Sequence, residues 1–187
     1  MSMNEIIKPQ KTDKYSETSN LLVDRYGRLF DYARIALNEK CNLRCVYCMP
    51  EEGIKFKPDK DLLSNGEIKR IISLLSDLGV KKIRFTGGEP LLREDIFDLI
   101  EYTSVKKKIR STQLTTNGVL LESVVDRLAS SGLNGVNISL DTLKPEKFKL
   151  ITRRFGLEKV VNGLDAAIKT KALNVKLNVV LMRNFGF

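Results

Sequence analysis

Apolar positions along this chain switch repeatedly between a period of about two and a helical period, and the switches cut it into strand and helix units. Ser64-Asn65-Gly66-Glu67 forms a capping box, after which Ile68, Ile71, Ile72, Leu75 and Leu78 recur at helical spacing until Gly79. Further helices are predicted over 94–103, burying Ile96, Phe97, Leu99 and Ile100, over 121–130, and over 157–170. Strands are predicted over 32–37, 81–86, 113–116, 136–140 and 175–181, with a short turn at Lys144-Pro145-Glu146. Strands that alternate with helices imply right-handed crossovers and a parallel sheet in an α/β fold. Residues 1–20 are polar and without period, which predicts a flexible amino-terminal arm ahead of a domain over 21–187.

Parity within the strands carries more than their order. Ile83 and Phe85 share one face of their strand while Lys82, Arg84 and Thr86 share the other. Gln113, Thr115 and Asn117 fall together, as do Asn137, Ser139 and Asp141; Lys176 and Asn178 oppose Val175, Leu177 and Val179, and Arg34 opposes Ile35. Parallel strands covered on both faces read as nearly continuous apolar runs, and these alternate instead. Helices over the apolar face then leave a polar face lining a wet or ligand-filled lumen. Arg34, Arg84 and Lys176 directed into it call for anions, since an unpaired buried cation costs several kcal/mol. Two partners are open: carboxylates of the lumen such as Asp141, or a phosphorylated substrate whose oxygens guanidinium groups grip in a fork.

With 187 residues and 42% apolar content the chain can bury one core. No run approaches the roughly 18 apolar residues of a membrane span, and the amino terminus lacks the pattern of a signal peptide, so a cytoplasmic location is expected. The formal net charge of +9 raises the question of a polyanionic partner. The densest basic run, Lys106-Lys107-Lys108-Ile109-Arg110, lies between a helix and a strand and reads as a solvated loop. Basic residues are not interleaved with aromatics, so no nucleic-acid partner is expected.

All three cysteines lie in one decapeptide, Cys41-Asn42-Leu43-Arg44-Cys45-Val46-Tyr47-Cys48-Met49-Pro50, directly after the first strand. Sites in a parallel barrel collect at that end of the strands. An odd count argues against a disulfide framework, and a chain with 3 Cys and no His cannot close a four-ligand structural zinc site. Three thiolates can hold a cubane iron–sulfur cluster with one iron left open.

CxxxCxxC with an aromatic before the last cysteine resembles the cluster signature of radical S-adenosylmethionine (SAM) enzymes, and Thr86-Gly87-Gly88-Glu89-Pro90 adds to it. Within that superfamily the chain resembles the GTP 3',8-cyclase family of molybdenum cofactor biosynthesis. The matching stretches are DRYGR at 24–28, RIAL at 34–37, CNLRCVYCMPEEG at 41–53, IRFTGGEPLLR at 83–93, LTTNG at 114–118 and NISLDTL at 137–143. The resemblance implies a partial parallel (βα) barrel of about five strands, with Cys41, Cys45 and Cys48 as ligands of a catalytic 4Fe-4S cluster. It implies SAM contacts at Tyr47, Gly87, Gly88, Glu89 and Ser139, the glycines allowing close approach of the methionyl ammonium, and GTP contacts at Arg34, Arg84, Thr115 and Lys176. The implied chemistry is abstraction of the ribose 3' hydrogen by a deoxyadenosyl radical and attack of C3' on guanine C8, with an external reductant for the cluster. The family continues past the last strand seen here into a sixth strand and a region with a second cluster. The expectation is therefore a truncated product with an unpaired strand edge and an apolar end, which favours association, a homodimer being one form, or instability. Two other readings remain open, a different radical SAM enzyme such as a peptide-modifying one and a non-catalytic cluster-binding fragment.

Overall fold

The first four strands of this protein each end at a loop carrying one of the sequence motifs, and all five strands lie parallel in one sheet. The computed structural model describes residues 21–183; the amino-terminal arm expected over 1–20 and the last residues, 184–187, lie outside them. The strands are β1 (Tyr32–Ala36), β2 (Lys82–Thr86), β3 (Ser111–Thr116), β4 (Gly135–Ser139) and β5 (Asn174–Asn178). Their order in space is their order in sequence, β1-β2-β3-β4-β5. Every crossover steps to the next neighbour without reversal, the progression of a (βα) barrel rather than of a doubly wound sheet. The sheet stays open, with β1 and β5 at its edges.

Five helices form the connections: α1 (Asn65–Asp77), α2 (Ile96–Ser104), α3 (Val125–Ser130), α4 (Pro145–Thr152) and α5 (Leu157–Lys169). The capping box at the start of α1 forms as the sequence predicts, with Ser64 N–H donating to Glu67 Oε2 at 2.8 Å and Glu67 N–H to Ser64 Oγ at 3.4 Å. Strand parity also holds in the centre of the sheet. Ile83, Phe85, Leu114, Val136 and Ile138 are fully buried and join one core with Ile68 and Ile72 of α1, Leu99 and Ile100 of α2, Leu128 of α3 and Val160 of α5. Each such side chain contributes about 1.5–3 kcal/mol by leaving water. The core sits between one face of the sheet and the helices, and the polar parity faces away from it.

Several boundaries shift by one or two residues, and three differences from the sequence reading are larger. The segment read as a turn at Lys144-Pro145-Glu146 opens helix α4: proline at the first helical position needs no N–H partner, and Phe148, Ile151 and Thr152 then bury one face. The third helix begins at Val125 rather than 121, residues 118–124 forming successive turns. Strand β5 ends at Asn178, where Leu140 N–H makes its last ladder bond to Asn178 O at 3.0 Å; Val180 N–H turns to the Asp141 carboxylate at 2.8 Å instead. Leu177 and Val179, read as facing helices, are 50% and 45% exposed, because the edge strand has less helix over it than the centre. No helix among the described residues is long and apolar enough to cross a membrane.

Candidate active site

The cysteine loop hangs from the end of β1 and is tied down from the far side of the sequence. Arg44 N–H and Val46 N–H donate to Thr152 O and Ile151 O, each at 2.9 Å, so the last turn of α4 holds the loop's centre. Arg153, in a left-handed conformation (φ 54°), reaches Met49 O at 2.9 Å and Arg44 O at 3.3 Å. Within the loop, Cys48 N–H and Met49 N–H both donate to Cys45 O, at 2.9 and 3.0 Å, closing a turn between the last two cysteines. Sequence reasoning gave Arg153 no part here, since nothing local in its neighbourhood signals a contact a hundred residues away.

The glycine motif packs directly on the entrance of that loop. A Cβ at Gly87 would lie 2.6 Å from Asn38 O, and one at Gly88 would overlap Lys40 O and lie 2.6 Å from Glu39 O. Gly88 N–H donates to Asn38 O at 2.8 Å and Glu89 N–H to Lys40 O at 2.7 Å. The glycines are thus demanded by backbone meeting backbone, a reason independent of any ligand. Glu89 is 1% exposed, and its side chain faces the protein. Oε1 accepts from Thr116 Oγ1 at 2.8 Å and Leu91 N–H at 3.0 Å, and Oε2 accepts from Asn117 N–H at 2.7 Å. Burial pushes the Glu89 carboxyl above its ordinary range, and the three donors offset part of that shift. Arg93 completes the clamp, donating to Leu37 O at 2.9 Å, to Leu63 O at 3.0 Å and to the Asp95 carboxylate.

The thiols are free, Cys41 and Cys45 half-buried and Cys48 exposed. Burial, with the neighbouring Cys41 and Cys48, pushes Cys45 up to about 11, and burial likewise raises Cys41. Ligation needs thiolates, so this loop favours ionised sulfur only when a cation centre compensates it. Among the described residues, no group of His, Cys, Asp and Glu converges on a single metal ion. Three thiols on an ordered loop, one of them at the surface, suit a larger inorganic core on which each sulfur takes a different iron. Leu43 N–H donates to Cys41 Sγ at 3.4 Å, and Asn117 Nδ2 lies 3.8 Å from the same atom. The donor set therefore fits a cluster.

Tyr47 and Ser139, which the sequence assigned to one ligand, line the same cavity as Cys45, together with Asn117, Asp141 and Phe148. Its volume of about 40 Å³ takes a water or two, so anything larger must lie across the open polar face beside it. Tyr47 donates to Asp141 Oδ2 at 2.7 Å, and Asp141 Oδ1 accepts from Val180 N–H. Burial and this hydrogen bond raise the Tyr47 hydroxyl far above its usual value, so it stays a donor.

Strand register arranges the polar face in rows. Arg34 on β1 stands beside Arg84 on β2, which stands beside Gln113 on β3; one step on, Thr115 on β3 stands beside Asn137 on β4 and Asn137 beside Lys176 on β5. Arg34 and Lys176 are exposed on the edge strands, so of the three cations expected in the lumen only Arg84 is buried, as are Gln113 and Asn137. Asp141, the lumen carboxylate that stood as an alternative partner for these cations, is held by Tyr47 and Val180. Three buried polar atoms on this face have no hydrogen-bond partner: Arg84 Nε, Thr115 Oγ1 and Asn137 Oδ1. Asn137 was visible in the sequence only as a polar parity position, and its missing partner emerges only from the packing.

Comparison with known proteins matches residues 35–186 to the model of the radical SAM superfamily. The chain is 46% identical over 173 residues to the mitochondrial GTP 3',8-cyclase of Arabidopsis thaliana, covering 92% of this chain and 44% of that one. It is 45% identical over 163 residues to GTP 3',8-cyclase of Listeria monocytogenes, covering 87% and 49%. Among solved structures, Streptococcus suis SuiB bound to S-adenosylmethionine superposes with a TM-score of 0.65 at 25% identity, covering 82% of this chain and 35% of that one. The chain spans less than half the length of these curated relatives.

Proposed function

The chain belongs to the radical SAM superfamily, whose members use a 4Fe-4S cluster and S-adenosylmethionine, and on that premise we propose that it carries the radical-generating part of a GTP 3',8-cyclase. In that reading GTP is converted to (8S)-3',8-cyclo-7,8-dihydroguanosine 5'-triphosphate, the first step towards molybdopterin. Cys41, Cys45 and Cys48 would hold the cluster, Tyr47, Gly87, Gly88, Glu89 and Ser139 would surround SAM, and Arg34, Arg84, Thr115 and Lys176 would hold GTP. Held there, the cluster would pass one electron from an external reductant to SAM and so supply radical chemistry, with methionine as the leaving group.

The protein's part is positional. Arg84 and Lys176 bracket the polar face with Thr115 and Asn137 between them, so a triphosphate finds cations and its sugar finds hydroxyl and amide groups. Glu89 touches nothing but protein through its side chain and acts by holding the glycine segment against the end of β3. Stray hydrogen donors must be kept from a carbon radical, and Tyr47 is held away from ionisation or rotation by Asp141. Three free thiols need a reducing compartment, and the cytoplasm supplies one.

The observation that carries the substrate reading is the unpartnered Arg84 Nε on the polar face, with the equally unpartnered Thr115 Oγ1 two residues past Gln113, its register neighbour on β3. The test is anaerobic reconstitution with iron and sulfide, reduction by dithionite, and quantitation of 5'-deoxyadenosine with GTP, with ATP and without nucleotide. GTP is expected to bind and to raise deoxyadenosine formation. A chain that loads cluster and cleaves SAM but is indifferent to GTP refutes the substrate and favours another radical SAM enzyme. A loaded chain that releases no deoxyadenosine refutes the catalytic reading itself.

A further inference from the structure

Asn117 is fixed by four hydrogen bonds that leave its side-chain amide one orientation. Its Oδ1 accepts from Val119 N–H at 3.1 Å, which identifies the oxygen, because a backbone N–H can only donate. The NH2 group must then point the other way, to Asn42 Oδ1 at 2.6 Å and to Cys41 Sγ at 3.8 Å. Its backbone N–H is held by Glu89 Oε2 at 2.7 Å. Cys41 Sγ therefore receives two N–H donors, from Asn117 and from Leu43 N at 3.4 Å. An N–H directed at a ligating thiolate withdraws electron density from the sulfur and from the iron behind it, which favours the reduced cluster.

We propose that Asn117 tunes the cluster: its side-chain amide hydrogen-bonds the Cys41 thiolate and raises the reduction potential of the bound 4Fe-4S centre. Glu89, 28 residues away in sequence, is the positioning residue that fixes Asn117 through its backbone. This rests on the reading that Cys41 holds one iron of that cluster. It gives the buried Glu89 carboxylate a purpose that needs no contact with any ligand. The same side chain that locks the glycine motif also sets the place of a donor to the sulfur.

The test compares the wild-type chain with Asn117→Asp and Asn117→Ala after anaerobic reconstitution, reading iron and sulfide content first and the midpoint potential second, by electrochemical titration followed by electron paramagnetic resonance. Asn117→Asp keeps the acceptor for Val119 and removes the donors. Equal loading is expected, with the variant cluster about tenfold less reduced at a fixed potential, a shift of about 59 mV to the negative for a one-electron couple. The Ala variant should shift the same way by less, since it adds no negative charge. Equal loading with an unchanged potential overturns the inference and leaves the cluster reading standing, whereas a wild-type chain that binds no cluster overturns that reading and this one with it. A readout free of any folding defect is the wild-type chain labelled with ¹⁵N in its asparagine side-chain amides. A ¹⁵N hyperfine coupling to the reduced cluster is expected, and its absence overturns the inference whatever the variants do.

Discussion

Replacing Arg84 with methionine should make the free chain more stable and its nucleotide binding worse, two effects of opposite sign from one side chain. Arg84 is 8% exposed, its Nε has no partner, and register sets it beside a second cation, Arg34. A buried donor left unsatisfied costs about 1–3 kcal/mol, and removing a like charge from the neighbouring strand helps further. Against this stands the loss of a guanidinium over the Tyr32 ring, 5.8 Å from its centroid, about 0.5 kcal/mol at such a distance. Methionine has similar length and no polar hydrogen, so a net gain of about 1–2 kcal/mol is expected. For a chain of this size that is about 2–8 °C in melting temperature. On the ligand side, truncating one partner of a buried charged pair costs about 2–5 kcal/mol, a loss of at least about 30-fold in GTP affinity. The assay is thermal unfolding of the reduced chain with and without GTP, together with a direct binding isotherm. A variant that melts lower than wild type without nucleotide, or one that keeps the wild-type GTP affinity, refutes the reasoning that this arginine is held unpaired for a ligand.

Gly88→Ala should lower stability by about 1–3 kcal/mol or more, since the added Cβ meets the backbone of Glu39 and Lys40 rather than a yielding side chain; melting and iron content of the reconstituted protein measure both effects, and wild-type values for both would show that the loop yields. Asp95 gives a pH signature. Burial works to raise its carboxyl, but hydrogen bonds from Arg93 and Asn65 and the charge of Arg93 outweigh it and hold the pKa below the ordinary range. Stability from this group is therefore present above the unfolded carboxylate pKa of about 3.9 and is lost as pH falls through the lower folded value. Melting followed from neutral to strongly acidic pH should fall less steeply at the acid end in Asp95→Asn than in wild type, and parallel curves would remove Asp95 from the account.

Much of the site could be read from local pattern. The spacing of Cys41, Cys45 and Cys48 fixed a shared loop, and the alternation of Lys82, Ile83, Arg84 and Phe85 fixed which side chains would leave the core, because both signals depend only on neighbours along the chain. Helix α4 was missed because Lys144-Pro145-Glu146 reads equally as a turn or a helix start, and only the burial of Phe148 and Ile151 against the rest of the protein chooses between them.

What the sequence determined by itself, then, was the order of the strands and of four of the five α-helices, the polar parity of one sheet face and a three-cysteine loop at the end of the first strand. What only the tertiary structure decided was which groups meet across long separations. It set Gly87 and Gly88 against the carbonyls of Asn38, Glu39 and Lys40, tied Arg153 to the cysteine loop, buried the Glu89 carboxylate beneath Asn117, and left Arg84 Nε, Thr115 Oγ1 and Asn137 Oδ1 unpaired. Local periodicity determines the direction in which a side chain leaves its own strand. Whether that side chain then finds a partner depends on strands and loops dozens of residues away, and only packing supplies them.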